Sequence, residues 1–152
     1  MKKIIIILLF IFTSCYNSAD GELSKKQITE LEQKVLSSGD KYSYSRLIAF
    51  YSDKNNYYEL LPYSFVMGSK YHNPDGYFQI YYDLIKINNN GKFSPELIVN
   101  LNKDDMDFVI SNLKRGAELN DQDCKVFLAK HYAGGFGVIQ NKKTADSLDI
   151  AL

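Results

Sequence analysis

The chain is poor in the residues that metal and covalent chemistry need most. Its 152 residues hold two cysteines and two histidines. His72 and His131 lie far apart and show no short ligand spacing, so no metal centre is expected. There is no Gly-x-Ser-x-Gly elbow. A Cys124–His131 dyad fails on reach, because their separation along one helix is about two turns, ~10 Å, against the ~3 Å that proton transfer requires. Neighbouring carboxylates such as Asp104 and Asp105 splay apart instead of converging. An excess of one charge is missing too. Eighteen basic residues balance 18 acidic ones, which is not the footprint of a nucleic-acid binder. No apolar run reaches the roughly 20 residues of a spanning helix, and no segment sustains strand alternation. The expectation is an all-α chain without a cofactor and without enzymatic activity.

What is present begins at the N-terminus. Met1-Lys2-Lys3 is basic, Ile4 to Phe12 is apolar throughout, and Thr13-Ser14-Cys15 follows. These three parts make the form of a secretory signal. The small residues ahead of Cys15 resemble the lipobox of bacterial lipoproteins, with Phe12 where leucine is commoner. That resemblance implies cleavage after Ser14 and acylation of Cys15. The expected organisation is a signal peptide over residues 1–14, a polar tether over 15–23 and a folded domain over 24–152. The domain would be lipid-anchored in the bacterial cell envelope, facing the periplasm or the exterior. Plain secretion is the alternative. Loss of Lys2 and Lys3 tips the charge balance slightly acidic. Cys124 is then the only free thiol, which excludes an internal disulfide and favours burial.

Along the domain, Ser24 is placed to cap a helix to about Ser37 that Gly39 ends. Residues 41–52 read as a second helix. An interior proline costs about 3 kcal/mol but suits the first helical position, so Pro62 predicts a helix from about Leu61 to His72, with room for a short helical turn over 56–60 ahead of it. Asn73-Pro74-Asp75-Gly76 punctuates the chain. Residues 75–87 form a helix apolar nearly all round, the pattern of one sandwiched between neighbours. Residues 88–102 are an irregular insertion, in which 97–101 is either a helical turn or an extended piece. Residues 103–119, 121–133 and 141–152 read as three further helices.

A repeat runs through the tyrosines. Leu47–Tyr51, Met67–Tyr71 and Leu128–Tyr132 each set a large apolar residue four positions before a Tyr, on one helix face. Gly68 and Ala129 stand beside that face, leaving room for a second helix. The intervals are unequal, so the array is irregular. Leu128-Ala129-x-x-Tyr132-x-x-Gly135-x-Gly137-Val138, followed by Lys143-x-Ala145, resembles the Sel1-like branch of the tetratricopeptide-like helical repeats. The resemblance is good over 103–152, weaker over 61–87 and absent from 1–40 and 88–102. It implies stacked helix hairpins, an irregular α-solenoid, with Gly135 and Gly137 turning the chain between helices. A phosphate-binding loop would instead need Gly-Lys-Ser/Thr ahead of a helix, and Val138-Ile139-Gln140 stands there.

Two surface features carry the functional expectation. Ten of the twelve tyrosines fall between Tyr42 and Tyr82, too many for one small core to satisfy easily. They serve as core or as interface anchors, and Tyr57 and Tyr58 are the best exposed candidates. Asp104, Asp105, Asp107, Asp121 and Asp123 bracket one helix hairpin. They either complement helix N-termini or form a docking patch for a basic partner. The expected function is protein–protein interaction, specifically that of an immunity protein neutralising a periplasm-targeted toxin. The alternatives are an adaptor for an envelope complex and a carbohydrate-binding or hydrolytic protein using the Tyr-rich region.

Overall fold

The computed structural model describes residues 23–149. The signal segment, Cys15 and nearly all of the tether lie outside the described residues, as do the last three positions of the expected final helix. Among the described residues, seven α-helices follow one another: α1 Lys25–Ser38, α2 Lys41–Asp53, α3 Tyr57–Ser69, α4 Pro74–Asn88, α5 Lys103–Glu118, α6 Gln122–Gly134 and α7 Lys142–Asp149. A 3₁₀ helix over Pro95–Asn100 interrupts the series. No strand occurs among the described residues.

Local chemistry sets most boundaries. Ser24 and Gln27 form a reciprocal capping box at the start of α1, and Gly39 closes it at φ 65°. The carboxylate of Asp40 accepts the Ser43 amide at 2.7 Å and starts α2. Asn73 caps α4, with Pro74 at its first position, where no amide is needed. Asn102 and Asp121 cap α5 and α6 in the same way. Each such cap contributes about 1 kcal/mol.

The expected break between a turn over 56–60 and a helix from Leu61 to His72 is corrected: one helix runs Tyr57–Ser69, with Pro62 inside it. Pro62 is exposed, and in helical register its missing N–H would have reached the carbonyl of Tyr58, itself 69% exposed. The freed carbonyl lies in the first turn, where water can replace the lost bond. The insertion is also resolved: residues 95–100 make the 3₁₀ helix, and its Ile98 is fully buried.

Every helix packs on its sequence neighbour, so the chain folds as consecutive hairpin-like pairs. Two hydrophobic cores result. Val35, Tyr44, Leu47, Tyr51, Leu60 and Met67 fill the space among α1, α2 and α3. Tyr81, Ile85, Ile98, Val109, Leu113, Cys124 and others fill the second, among α4, α5, α6 and the 3₁₀ helix. Burying an aliphatic side chain of this size contributes roughly 1.5–3 kcal/mol. The α3–α4 pair joins the two halves in close backbone contact at Gly68 and Gly76. As its all-round apolar pattern implied, α4 is sandwiched, touching α3, α5, α6 and the 3₁₀ helix. Next-but-one contacts link α1 with α3 and α4 with α6.

Candidate functional site

The N-terminal ends of α4 and α6 and one face of α2 border a common space. Together they enclose a groove of about 310 Å³. Ile48 of α2 and Phe78 of α4 supply apolar surface, and Asp75, Asp121 and Asp123 supply carboxylates. Burial raises the Asp75 carboxyl above its ordinary range, and the charges of Asp121 and Asp123 reinforce this while Lys41 opposes it. Asp75 is therefore close enough to sense the charges of both Asp121 and Asp123. A cation placed among them would relieve that repulsion.

Gln79 connects the groove to the interior. It lines the cavity and donates from Nε2 to Asp83 Oδ1 at 2.7 Å. Asp83 is wholly buried, and its Oδ2 has no hydrogen-bond partner. Burial pushes its carboxyl up to about 7; the Gln79 hydrogen bond and the charge of Lys86 pull the other way.

The sequence-derived acidic set is divided by the fold. Asp121 and Asp123 reach the groove. Asp104, Asp105 and Asp107 stand in the first turns of α5, whose 16 residues separate the two groups by about 24 Å. The Asp105 amide is used by the Asn102 cap, and Asp107 pairs with Lys103 at 2.5 Å. The five aspartates therefore do not form one continuous patch. Asp75, missed as a site residue from the sequence, replaces the α5 group: it lies in the first turn of α4, and the groove brings it to Asp121 and Asp123.

The tyrosines resolve mostly into core. Tyr44, Tyr51, Tyr57, Tyr77 and Tyr81 are buried, whereas Tyr42 and Tyr58 are 70% and 69% exposed. Tyr57 is therefore corrected from an exposed anchor to a buried residue, 4% exposed. It shares the helical spacing of Leu60, Ser64 and Met67, all buried on the inner face of α3. Tyr44 donates its hydroxyl proton to Ser64 Oγ at 2.9 Å, which meets the polar requirement of a buried ring.

The glycine loop is committed to structure. Gly135 and Gly137 adopt φ 73° and 67°, the left-handed backbone that ends a helix. The amides of Gly135 and Phe136 both donate to the His131 carbonyl, so neither is free for an anion. His131 is fully buried, with Nδ1 2.8 Å from the Phe136 carbonyl and Nε2 2.9 Å from the Tyr81 hydroxyl. A carbonyl only accepts, so Nδ1 carries the proton and Nε2 accepts from Tyr81. Burial lowers the His131 pKa, consistent with that neutral ring. His72 lies beyond α3 at φ 49°, exposed and distant from His131 in the fold order. Cys124 is a buried free thiol packed against Gly116, and burial raises its pKa far above the reactive range.

Among the described residues, no group of three His, Cys, Asp or Glu side chains is placed to hold a metal ion. No described helix is long and apolar enough to cross a membrane. Searches against protein-family models, curated proteins and solved structures each found no match.

Proposed function

We propose that this chain is a lipid-anchored envelope protein whose α2–α4–α6 groove docks a basic segment of another protein, and that the docking neutralises a toxin acting outside the cytoplasm. The observation that carries the reading is the groove itself: Asp75, Asp121 and Asp123 set beside Ile48 and Phe78. Apolar contact gives such a surface affinity, and convergent like charge selects a cationic partner and speeds encounter. The hairpin-like packing supports reading the domain as an irregular Sel1-like solenoid, an architecture that presents its inner surface to other proteins. The signal-like N-terminus and Cys15 supply the tether. Fold class alone does not fix function, so the groove residues carry the claim.

Deletion of the gene is expected to kill cells only when a neighbouring toxin gene is intact, and the wild-type chain should restore survival. Asp75→Asn with Asp123→Asn should lose at least ~10-fold in protective potency at equal protein level, the scale of one or two lost charge pairs. Full protection by the double variant would remove the groove from the mechanism. A growth or morphology defect without any toxin would favour an adaptor role.

A further inference from the structure

The opposite end of α4 carries a second cavity of opposite character. It measures about 530 Å³ and lies between the start of α3 and the end of α4. Lys86, Lys92, Asn55, Asn90 and the rings of Tyr57 and Tyr58 line it, and none of its lining residues is acidic. Lys86 is held in place there. Its Nζ donates to the Tyr57 hydroxyl at 2.9 Å, and that hydroxyl donates onward to Asn55 Oδ1 at 2.8 Å. The same ammonium sits 4.7 Å from the Tyr57 ring centroid and 4.6 Å from that of Tyr82. Cation–π contact and a hydroxyl acceptor position the charge without neutralising it. No described carboxylate lies within ion-pair distance of Lys86. Asp83, one turn earlier on α4, is buried beneath it.

A lysine in the last turn of α4 complements the helix dipole, but that role requires neither a cavity nor a second lysine across it. We propose that this cavity binds an oxyanion, a carboxylate or a phosphate, with Lys86 and Lys92 meeting its charge and the Asn55 and Asn90 side chains bordering it. Tyr58, exposed at the rim, offers a flat face to whatever group carries the anion. This inference is independent of the docking groove and holds whether or not that groove takes a protein.

The test is amide NMR of the full chain titrated with inorganic phosphate, with glucuronate and with neutral glucose. Saturable shifts confined to residues 55–58 and 86–92, from phosphate or glucuronate but not glucose, are expected. A response to phosphate marks a free anion, and a response to glucuronate alone marks a sugar-borne one. Lys92→Gln, an exposed site outside both cores, should weaken binding about tenfold, the scale of one charge-assisted hydrogen bond. Lys86→Gln should do the same or more. The proposal is overturned if neither anion gives saturable shifts, if glucose matches them, or if Lys92→Gln binds as well as wild type.

Discussion

Gly76→Ala is expected to destabilise the fold by about 3 kcal/mol, at the upper end of overpacking costs. Helix propensity alone predicts the opposite sign, since alanine is favoured over glycine by about 1 kcal/mol inside a helix. Gly76 lies in the first turn of α4, where α4 crosses α3. A Cβ there would meet the Gly68 backbone nitrogen, the Ser64 carbonyl oxygen at 2.8 Å and the Met67 carbonyl carbon at 2.9 Å. All three are backbone atoms, so relief requires the two helices to separate, and they join the two cores. Gly68→Ala is the comparison. Its Cβ would meet the Tyr77 ring at 3.0 Å, and a ring can shift, so a loss of about 1 kcal/mol is expected. Urea unfolding of both variants measures the difference. A neutral or stabilising Gly76→Ala would mean that α3 and α4 do not approach so closely.

Asp83→Asn is expected to raise stability at pH 7 by several kcal/mol. The Asp83 carboxyl titrates at about 7 in the fold, against 3.8 ordinarily. Between those values the folded chain holds a proton that the unfolded chain has released. This group's contribution is therefore greatest below about pH 4, declines as pH rises, and levels off above about 7. The interval corresponds to about 4 kcal/mol as an order of magnitude. An asparagine keeps an acceptor for Gln79 and removes the buried charge. Its amide nitrogen takes the position of Oδ2, which has no partner, so the realised gain is about 2–4 kcal/mol. His131 acts in the opposite sense: burial lowers its pKa, so its contribution is lost as pH falls below its ordinary 6.5. Taking the difference between variant and wild type cancels that term. The variant should gain on wild type progressively from about pH 4 to pH 7. Parallel profiles would mean that Asp83 ionises freely.

Local signals were the most legible part of this chain. Ser24, Gly39, the Asn73–Pro74 pair and Asp121 each act on the turn beside them, and each marks a helix end within a residue or two. Pro62 misled because its cost was counted for a helix interior, although its lost hydrogen bond falls in an exposed first turn. The break it implies, between a turn over 56–60 and a helix from Leu61, hides the register of Tyr57. Its spacing to Leu60, Ser64 and Met67 is helical and readable, but only once the helix is allowed to start at 57. The groove was half legible. Charge singles out Asp121 and Asp123, but their convergence with Asp75 depends on how α4 and α6 pack, which adjacency along the chain does not encode. The split of the α5 aspartates from that group follows from helix length alone and could have been anticipated.

Docking at the α2–α4–α6 groove is what the proposed function requires. The most direct measurement is site-specific photo-crosslinking in the producing cell, with the reactive side chain at Ser45 inside the groove or at exposed Gln33 on α1. One discrete protein adduct is expected at Ser45, absent at Gln33 and lost with Asp75→Asn and Asp123→Asn. Equal adducts at both positions, or none at Ser45, would contradict it.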